Sequence, residues 1–334
     1  MSGDPRLNAE GLALSDRYAE TMREVVLPRI DSCRTDLVVP GDGGRPLFVS
    51  RFDASAPRGT VMLLHGFTEN IEKYAELIHS LLECGMSVVA YDQRGHGRSW
   101  RDPALADASL THVDAFDAYV RDMSVVCAQM LPGMPMPHRV FCHSMGGAVT
   151  ALFLESHPGF FDRAAMCAPM IAPDLHGMPK PSARLMCRAA IALGRGRQRI
   201  FTSKPYTWPD DFDTSCATGR ARFDWYEAQR REEPLFTNNG PSYGWTLESI
   251  DVTDRILAPG AVERIDAKVR LYTAALDATV LPVPQKMFID RVPDGSHVTV
   301  RGAKHEIYRS ADEVLFPWWR DVLAFLSVRA PQTR

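Results

Sequence analysis

A serine that follows an apolar run, a late aspartate and a later histidine could together carry out acyl transfer. The serine is Ser144, in Val140-Phe141-Cys142-His143-Ser144-Met145-Gly146-Gly147-Ala148, where the apolar run stops and a helix-forming stretch, Val149 to Ser156, follows. A strand that turns sharply into a helix with serine at the tip is a nucleophile elbow. The turn is strained, so the residues two before and two after the serine must be small. Gly146 meets that demand; Cys142 stands where the usual G-x-S-x-G pattern has glycine, and is small enough to fit. The same nine residues also suit a buried strand with an incidental serine, so the partners decide.

A serine hydroxyl needs a base within hydrogen-bond reach, and a histidine base needs a carboxylate to orient it. In an α/β chain these follow the nucleophile in the order acid, then histidine. Two histidines follow the last long irregular region. His305, in Gly302-Ala303-Lys304-His305-Glu306, lies in the loop past an expected strand, Val298 to Val300; His297 precedes that strand, at the wrong end of the sheet. His305 is therefore the expected base. Asp277 follows the expected strand Val269 to Ala275 and is the expected acid, whereas Asp290 and Asp294 come after the next helix, on the opposite side. The oxyanion of a tetrahedral intermediate needs backbone N–H donors. Met145, directly after the nucleophile, and Phe67, after His65-Gly66, are expected to supply them. His65 and His96 read as loop-organising residues, and His143 as packed beside the elbow.

The elements that must hold these groups follow from hydrophobic pattern. Residues 1–35 form a polar lead-in with an amphipathic helix near Ala9 to Val26. Two short strands, Leu37 to Val39 and Pro46 to Phe52, flank a glycine-rich hairpin turn. Gly59 to Leu64, Ser87 to Tyr91 and Ala164 to Ala168 are apolar enough to be buried on both faces. Helices are expected from Ile71 to Leu82, Val113 to Met130 and Asp312 to Val328. The alternation predicts an α/β fold, a mostly parallel central sheet with helices on both faces. His65-Gly66-Phe67, Asp92 to Ser99, Ser144, Asp277 and His305 each fall at the carboxyl end of an expected strand, where such sheets gather their chemistry.

The 334 residues, 45% apolar and 24% charged, suit a globular protein. The net charge of -3 gives no reason to expect nucleic acid. No apolar run reaches the ~18 residues of a membrane span, and no secretory signal pattern opens the chain. Seven cysteines without regular spacing read as reduced thiols, so a cytoplasmic setting is expected. Without a C-x-x-C pair or an H-E-x-x-H motif, no metal or cofactor is expected.

Taken as an ordered set, these motifs resemble the α/β-hydrolases, and within them the monoacylglycerol lipase and bacterial lysophospholipase branch. That branch pairs an H-G-x loop with D-x-R-G-H-G-x-S and x-H-S-M-G-G, as at His65-Gly66-Phe67, Asp92 to Ser99 and His143 to Gly147. Its late D-x-x-V and H-E signatures match Asp277-Ala278-Thr279-Val280 and His305-Glu306. Asn238-Asn239-Gly240-Pro241-Ser242-Tyr243-Gly244-Trp245 is similar to the G-G-P-T-x-x-W stretch of the bacterial lysophospholipases. The resemblance spans about residues 35–328 and departs at Cys142. It implies a serine hydrolase acting on lipid esters, a lysophospholipase first and a monoacylglycerol lipase or general carboxylesterase second. Acyl transfer to an alcohol, or haloperoxidase or carbon–carbon hydrolase chemistry, would use the same triad. A non-hydrolytic ligand-binding member of the fold is the alternative of a different class.

About a hundred proline-broken residues interrupt the alternation, which sets the expected boundaries. The core comprises 36–170 and 266–334, and an inserted helical cap spans 171–265. Most cap aromatics should form its own core, with one or two, such as Trp208, Trp225 or Trp245, lining an acyl channel. From Leu175 to Pro209 there is no acid, while Lys180, Arg184, Arg188, Arg195, Arg197, Arg199 and Lys204 all fall inside. This basic, partly apolar segment suits either a solvated face or contact with an anionic membrane surface.

Overall fold

The computed structural model describes residues 4–326. Its main sheet has eight strands: β1 (Arg34–Pro40), β2 (Pro46–Phe52), β3 (Thr60–Leu64), β4 (Ser87–Tyr91), β5 (His138–His143), β6 (Arg163–Cys167), β7 (Lys268–Ala274) and β8 (Gly295–Val300). Their order is β1-β2-β4-β3-β5-β6-β7-β8. β2 pairs antiparallel with β1 and β4, and every other pairing is parallel, with Leu64 opposite Cys142 and Cys142 opposite Met166.

The central strands are mostly apolar because both faces are covered. Met62, Leu64, Val140 and Cys142 turn to one face, where helices α2 (Asp117–Met130) and α3 (Met145–Ser156) pack. Val61, Leu63, Val88 and Phe141 turn to the other, under α1 (Ala75–Glu83), the N-terminal segment and the C-terminal helix Asp312–Leu326. The period of two thus divides one sheet between two cores. The edge strand β1 shows the opposite composition, with Thr35, Asp36, Leu37 and Val38 exposed.

Several boundaries differ from expectation. The N-terminal helix runs over residues 18–31, not Ala9 to Val26, because the buried stripe is Tyr18, Met22, Val26 and Ile30, one residue per turn. Leu7 and Ala13 instead bridge across a turn. The helix expected from Val113 starts at Asp117, since Leu110–Thr111 pairs with Gly240–Pro241 and the Phe116 N–H is taken by Glu248. His297 lies within β8, opposite Leu271, and does not precede the strand; its Nε2 is 2.9 Å from Thr273 Oγ1. The last residues of the expected C-terminal helix, 327 and 328, lie outside the described residues.

Between β6 and β7 the chain forms α4 (Lys180–Ala192), α5 (Arg220–Glu232) and α6 (Tyr243–Ile256). α5 is fastened by Arg222, buried and bonded to Glu76 (2.9 Å), Asp312 (2.7 Å) and the Ala13 carbonyl (2.9 Å). Such a charge is tolerated inside only because it is paired and hydrogen-bonded.

Glu155, in the last turn of α3, is buried and one of its carboxylate oxygens has no partner. Burial pushes its pKa up to about 8. The folded state then holds a proton that the unfolded chain releases near the ordinary carboxylate value, so this group's contribution to stability falls as pH rises from about 4.5 to 8. Glu155→Gln, which keeps the shape without the titration, should raise Tm at pH 8 and leave it nearly unchanged at pH 5.

Candidate active site

The elbow is built as its sequence requires. β5 ends at His143, α3 begins at Met145, and Ser144 between them has φ 49° and ψ -116°, a conformation that costs a non-glycine residue ~1–3 kcal/mol. A Cβ on Gly146 would lie 2.7 Å from the His65 carbonyl oxygen, so glycine is needed there. Cys142 is fully buried, with Sγ 3.9 Å from the Ala165 carbonyl, and fits the turn without disturbing it.

His305 Nε2 is 2.8 Å from Ser144 Oγ, and its Nδ1 is 2.8 Å from Asp277 Oδ2. The other carboxylate oxygen accepts the Thr279 and Val280 N–H groups at 2.8 and 3.1 Å. A carboxylate accepts, so Nδ1 carries the proton and Nε2 is left to receive the serine's; this tautomer follows from the partners. Burial pushes the Asp277 carboxyl up, but the His305 hydrogen bond and charge, with the two backbone N–H groups, bring it below its ordinary value. All three residues expected from the sequence therefore meet, although they come from three loops 28 to 161 residues apart.

The loop after β3 lies against the elbow: a Cβ on Gly66 would be 3.0 Å from Ser144 Cβ. Among the described residues, the N–H groups of Phe67 and Met145 are not spent on any acceptor, as donors to an oxyanion must be. His65 organises this loop as expected. Its Nε2 accepts the Gln93 N–H at 2.9 Å and its Nδ1 lies 2.7 Å from the Gly66 carbonyl; burial lowers its pKa to about 4, so it stays neutral. His96 Nδ1 bonds the Arg94 carbonyl (3.0 Å), and burial holds that ring well below the ordinary value.

Glu69 was missed by the sequence reading. It is buried and receives the Gly66 N–H, the Tyr74 hydroxyl and the Tyr308 hydroxyl at 2.5 Å each, and the Lys73 ammonium at 3.1 Å. His143 Nδ1 lies 3.1 Å away on the same carboxylate, and its Nε2 is 3.2 Å from the His305 carbonyl. Lys73 also reaches Glu306, beside the base, at 2.6 Å. One carboxylate thus ties together the loop of Phe67, the elbow and the loop of His305. Burial pushes Glu69 up, yet the charges of Lys73 and His143 hold it well below its ordinary value. Glu69→Gln should lower kcat by about 10²-fold with KM nearly unchanged, the scale of a ~1 Å misplacement, measured on a water-soluble ester.

The aromatics expected in a cap divide. Trp245 stacks on Phe67 with centroids 3.9 Å apart. Trp225 instead packs on Tyr18 and Arg23 of the N-terminal helix, and Trp208, half exposed, stacks with Arg231; neither ring contact involves a site residue. Five of the seven cations of the basic segment are paired with acids. Lys180, Arg184 and Arg188 pair with Asp251 and Asp254 of α6, Arg197 with Asp102 and Asp114, and Arg199 with Asp107, at 2.5 to 3.9 Å. These acids are distant in sequence, which is why the run looked unpaired. On and just beyond α4, Leu185 and Leu193 are about three-quarters exposed.

A parallel-centred α/β sheet with a strained elbow serine, a histidine and an aspartate in hydrogen-bonded line defines the α/β-hydrolase class, and its site can perform acyl transfer. The family model described as serine aminopeptidase, S33, matches residues 55–312, and the chain belongs to that family. Lysophospholipase L2 of Escherichia coli K12 is 33% identical over 289 residues, 80% of each chain. Monoglyceride lipase of Rattus norvegicus is 29% identical over 276 residues, 81% of this chain and 83% of that one. Among solved structures, a soluble variant of the Saccharomyces cerevisiae monoglyceride lipase with a substrate analogue has a TM-score of 0.68 at 20% identity. It covers 88% of this chain and 95% of that one, and shares the fold.

Proposed function

We propose that the protein is a serine hydrolase cleaving carboxylic esters of single-chain lipids, foremost a lysophospholipase. The reading rests on the line Asp277–His305–Ser144 with 2.8 Å at both links, and its lipid half on the likeness to lysophospholipase L2. Ser144 Oγ attacks the acyl carbonyl as His305 Nε2 takes its proton, and Asp277 holds the resulting imidazolium. The N–H groups of Phe67 and Met145 stabilise the oxyanion. Collapse expels the alcohol, protonated by His305, and leaves the acyl ester on Ser144. Water, deprotonated by His305, then releases the fatty acid and restores the serine. No cofactor enters these steps.

The monoglyceride lipase relatives support monoacylglycerol as the second substrate. The family description also raises peptide amides, but an aminopeptidase needs a carboxylate free to take the substrate ammonium. In the network around the triad, Glu69 and Glu306 are engaged by Lys73 and Arg309. Residues 171–265 act in this reading as the cap, and contact with a lipid surface falls to Leu185 and Leu193 more than to paired charges. Among the described residues no helix is long and apolar enough to cross a membrane. Fatty acid release from lysophosphatidylcholine and 1-monoacylglycerol, beside p-nitroaniline release from leucine p-nitroanilide, tests the order. The reading requires lysolipid first and the anilide last; a preferred anilide would overturn it, and turnover of none would favour a ligand-binding role.

A further inference from the structure

The Phe67 N–H lies one residue past Gly66, where the loop abuts Ser144. His65 Nε2 accepts the Gln93 N–H, so its Nδ1 carries the proton and donates to the Gly66 carbonyl at 2.7 Å. That carbonyl and the Phe67 N–H belong to one planar trans unit and point opposite ways, so this bond turns the N–H away from His65. The next residue is under strain. Thr68 has φ 64°, which a β-branched residue keeps only where its surroundings hold it. The Thr68 hydroxyl donates to the Phe67 carbonyl at 2.6 Å, a bond within the loop itself. The restraint from outside is aromatic. The half-buried Phe67 ring stacks against Trp245, with centroids 3.9 Å and planes 34° apart, and meets His96 edge-on at 5.8 Å.

Trp245 is itself anchored. It is the third residue of α6, and the capping Ser242 hydroxyl accepts its N–H at 3.0 Å. The same hydroxyl lies 2.7 Å from His112 Nδ1, and the Ser242 N–H donates to the Thr111 carbonyl at 3.0 Å. Gly240–Pro241 pairs with Leu110–Thr111, and a Cβ on Gly244 would lie 2.6 Å from His112 Cε1, so the helix starts directly against residues 110–112. The stretch from Asn238 to Trp245 thus delivers a buried indole, tied to the core, onto the ring of an oxyanion donor.

We propose that Trp245 is a positioning residue for the ester reaction: its stack on Phe67 keeps the Phe67 N–H directed at the oxyanion. The inference rests on the ester-hydrolase reading above and deepens it, because it gives α6 a part in stabilising the transition state. The other role open to the indole, a wall for the acyl chain, would act through substrate length. Aiming an N–H acts on every ester alike, and acts on the transition state more than on the bound substrate.

The test compares Trp245→Leu and Trp245→Phe with wild type on p-nitrophenyl acetate and p-nitrophenyl octanoate. Leucine fills space without a flat face, so kcat should fall about 10- to 10²-fold on both esters with KM nearly unchanged, part of the ~10²–10³ that loss of a whole oxyanion donor costs. Phenylalanine, which can stack, should recover most of that loss. A trifluoromethyl ketone, whose adduct with Ser144 carries the oxyanion, should lose affinity by the same factor as kcat/KM. Phe67→Leu should reproduce the loss, and the double variant should be no worse than the more damaging single change, as one shared contact requires. A kcat within about twofold of wild type in Trp245→Leu, a loss confined to octanoate, an unchanged ketone affinity or losses that multiply in the double variant would each overturn the proposal. If Trp245→Leu fails to fold, Phe67→Leu decides alone, and undiminished kcat and ketone affinity there overturn the proposal equally. Wild type inactive on both esters would instead sink the ester-hydrolase reading, so the two failures are distinguishable.

Discussion

Ser144→Ala should lower kcat on p-nitrophenyl butyrate by roughly 10⁴–10⁶-fold, with KM changed little. In the proposed reaction the hydroxyl at 2.8 Å from His305 Nε2 is the attacking group, and the imidazole takes its proton. Residual activity would come from the oxyanion donors and from binding, which the substitution leaves in place. The variant should fold with nearly wild-type Tm, because alanine at φ 49° is strained as serine is. A near-normal Tm together with the lost turnover separates chemistry from structure.

Asp277→Asn should cost about 10⁴-fold in kcat, for a reason specific to this loop. The Thr279 and Val280 N–H groups both donate to Asp277 Oδ1, so an asparagine will keep its carbonyl oxygen there and turn its amide NH₂ toward His305 Nδ1. A donor facing Nδ1 forces the proton to Nε2, where the imidazole donates to Ser144 and cannot accept from it. In wild type the acid's lowered pKa means that its stabilising contribution is complete above the unfolded value, ~3.9, and is lost as pH falls below it. The carboxylate is therefore ionised through the neutral range. The pH–rate profile of the asparagine variant, taken beside wild type, should show the loss at all pH values, with no recovery on the alkaline side.

Much of this site was legible because its parts obey local rules. A strand, a strained serine and a small residue at Gly146 must be contiguous, and His305 and Asp277 must each follow a strand at the same end of the sheet. The strand Ser87–Tyr91 was readable to the residue, since both its faces are buried and its centre, Val88 to Ala90, is apolar. What escaped was non-local. Glu69 looks in sequence like a helix-capping acid beside Asn70; its function as a hub exists only once Tyr308 and His143, 239 and 74 residues away, fold onto it. The pairing of the basic segment was hidden for the same reason, its partners at Asp102, Asp114 and Asp251 lying outside any local window. Trp225, on α5, likewise packs against the N-terminal helix, whose own register was displaced because its stripe begins at Tyr18.

The most direct measurement is peptide mass analysis of the protein after acid quenching during turnover of palmitoyl-lysophosphatidylcholine. The account predicts a palmitoyl ester on the peptide bearing Ser144, absent in Ser144→Ala and accumulating if deacylation is slowed. Fatty acid release at an undiminished rate from Ser144→Ala, or an acyl group found on a different residue, would contradict it.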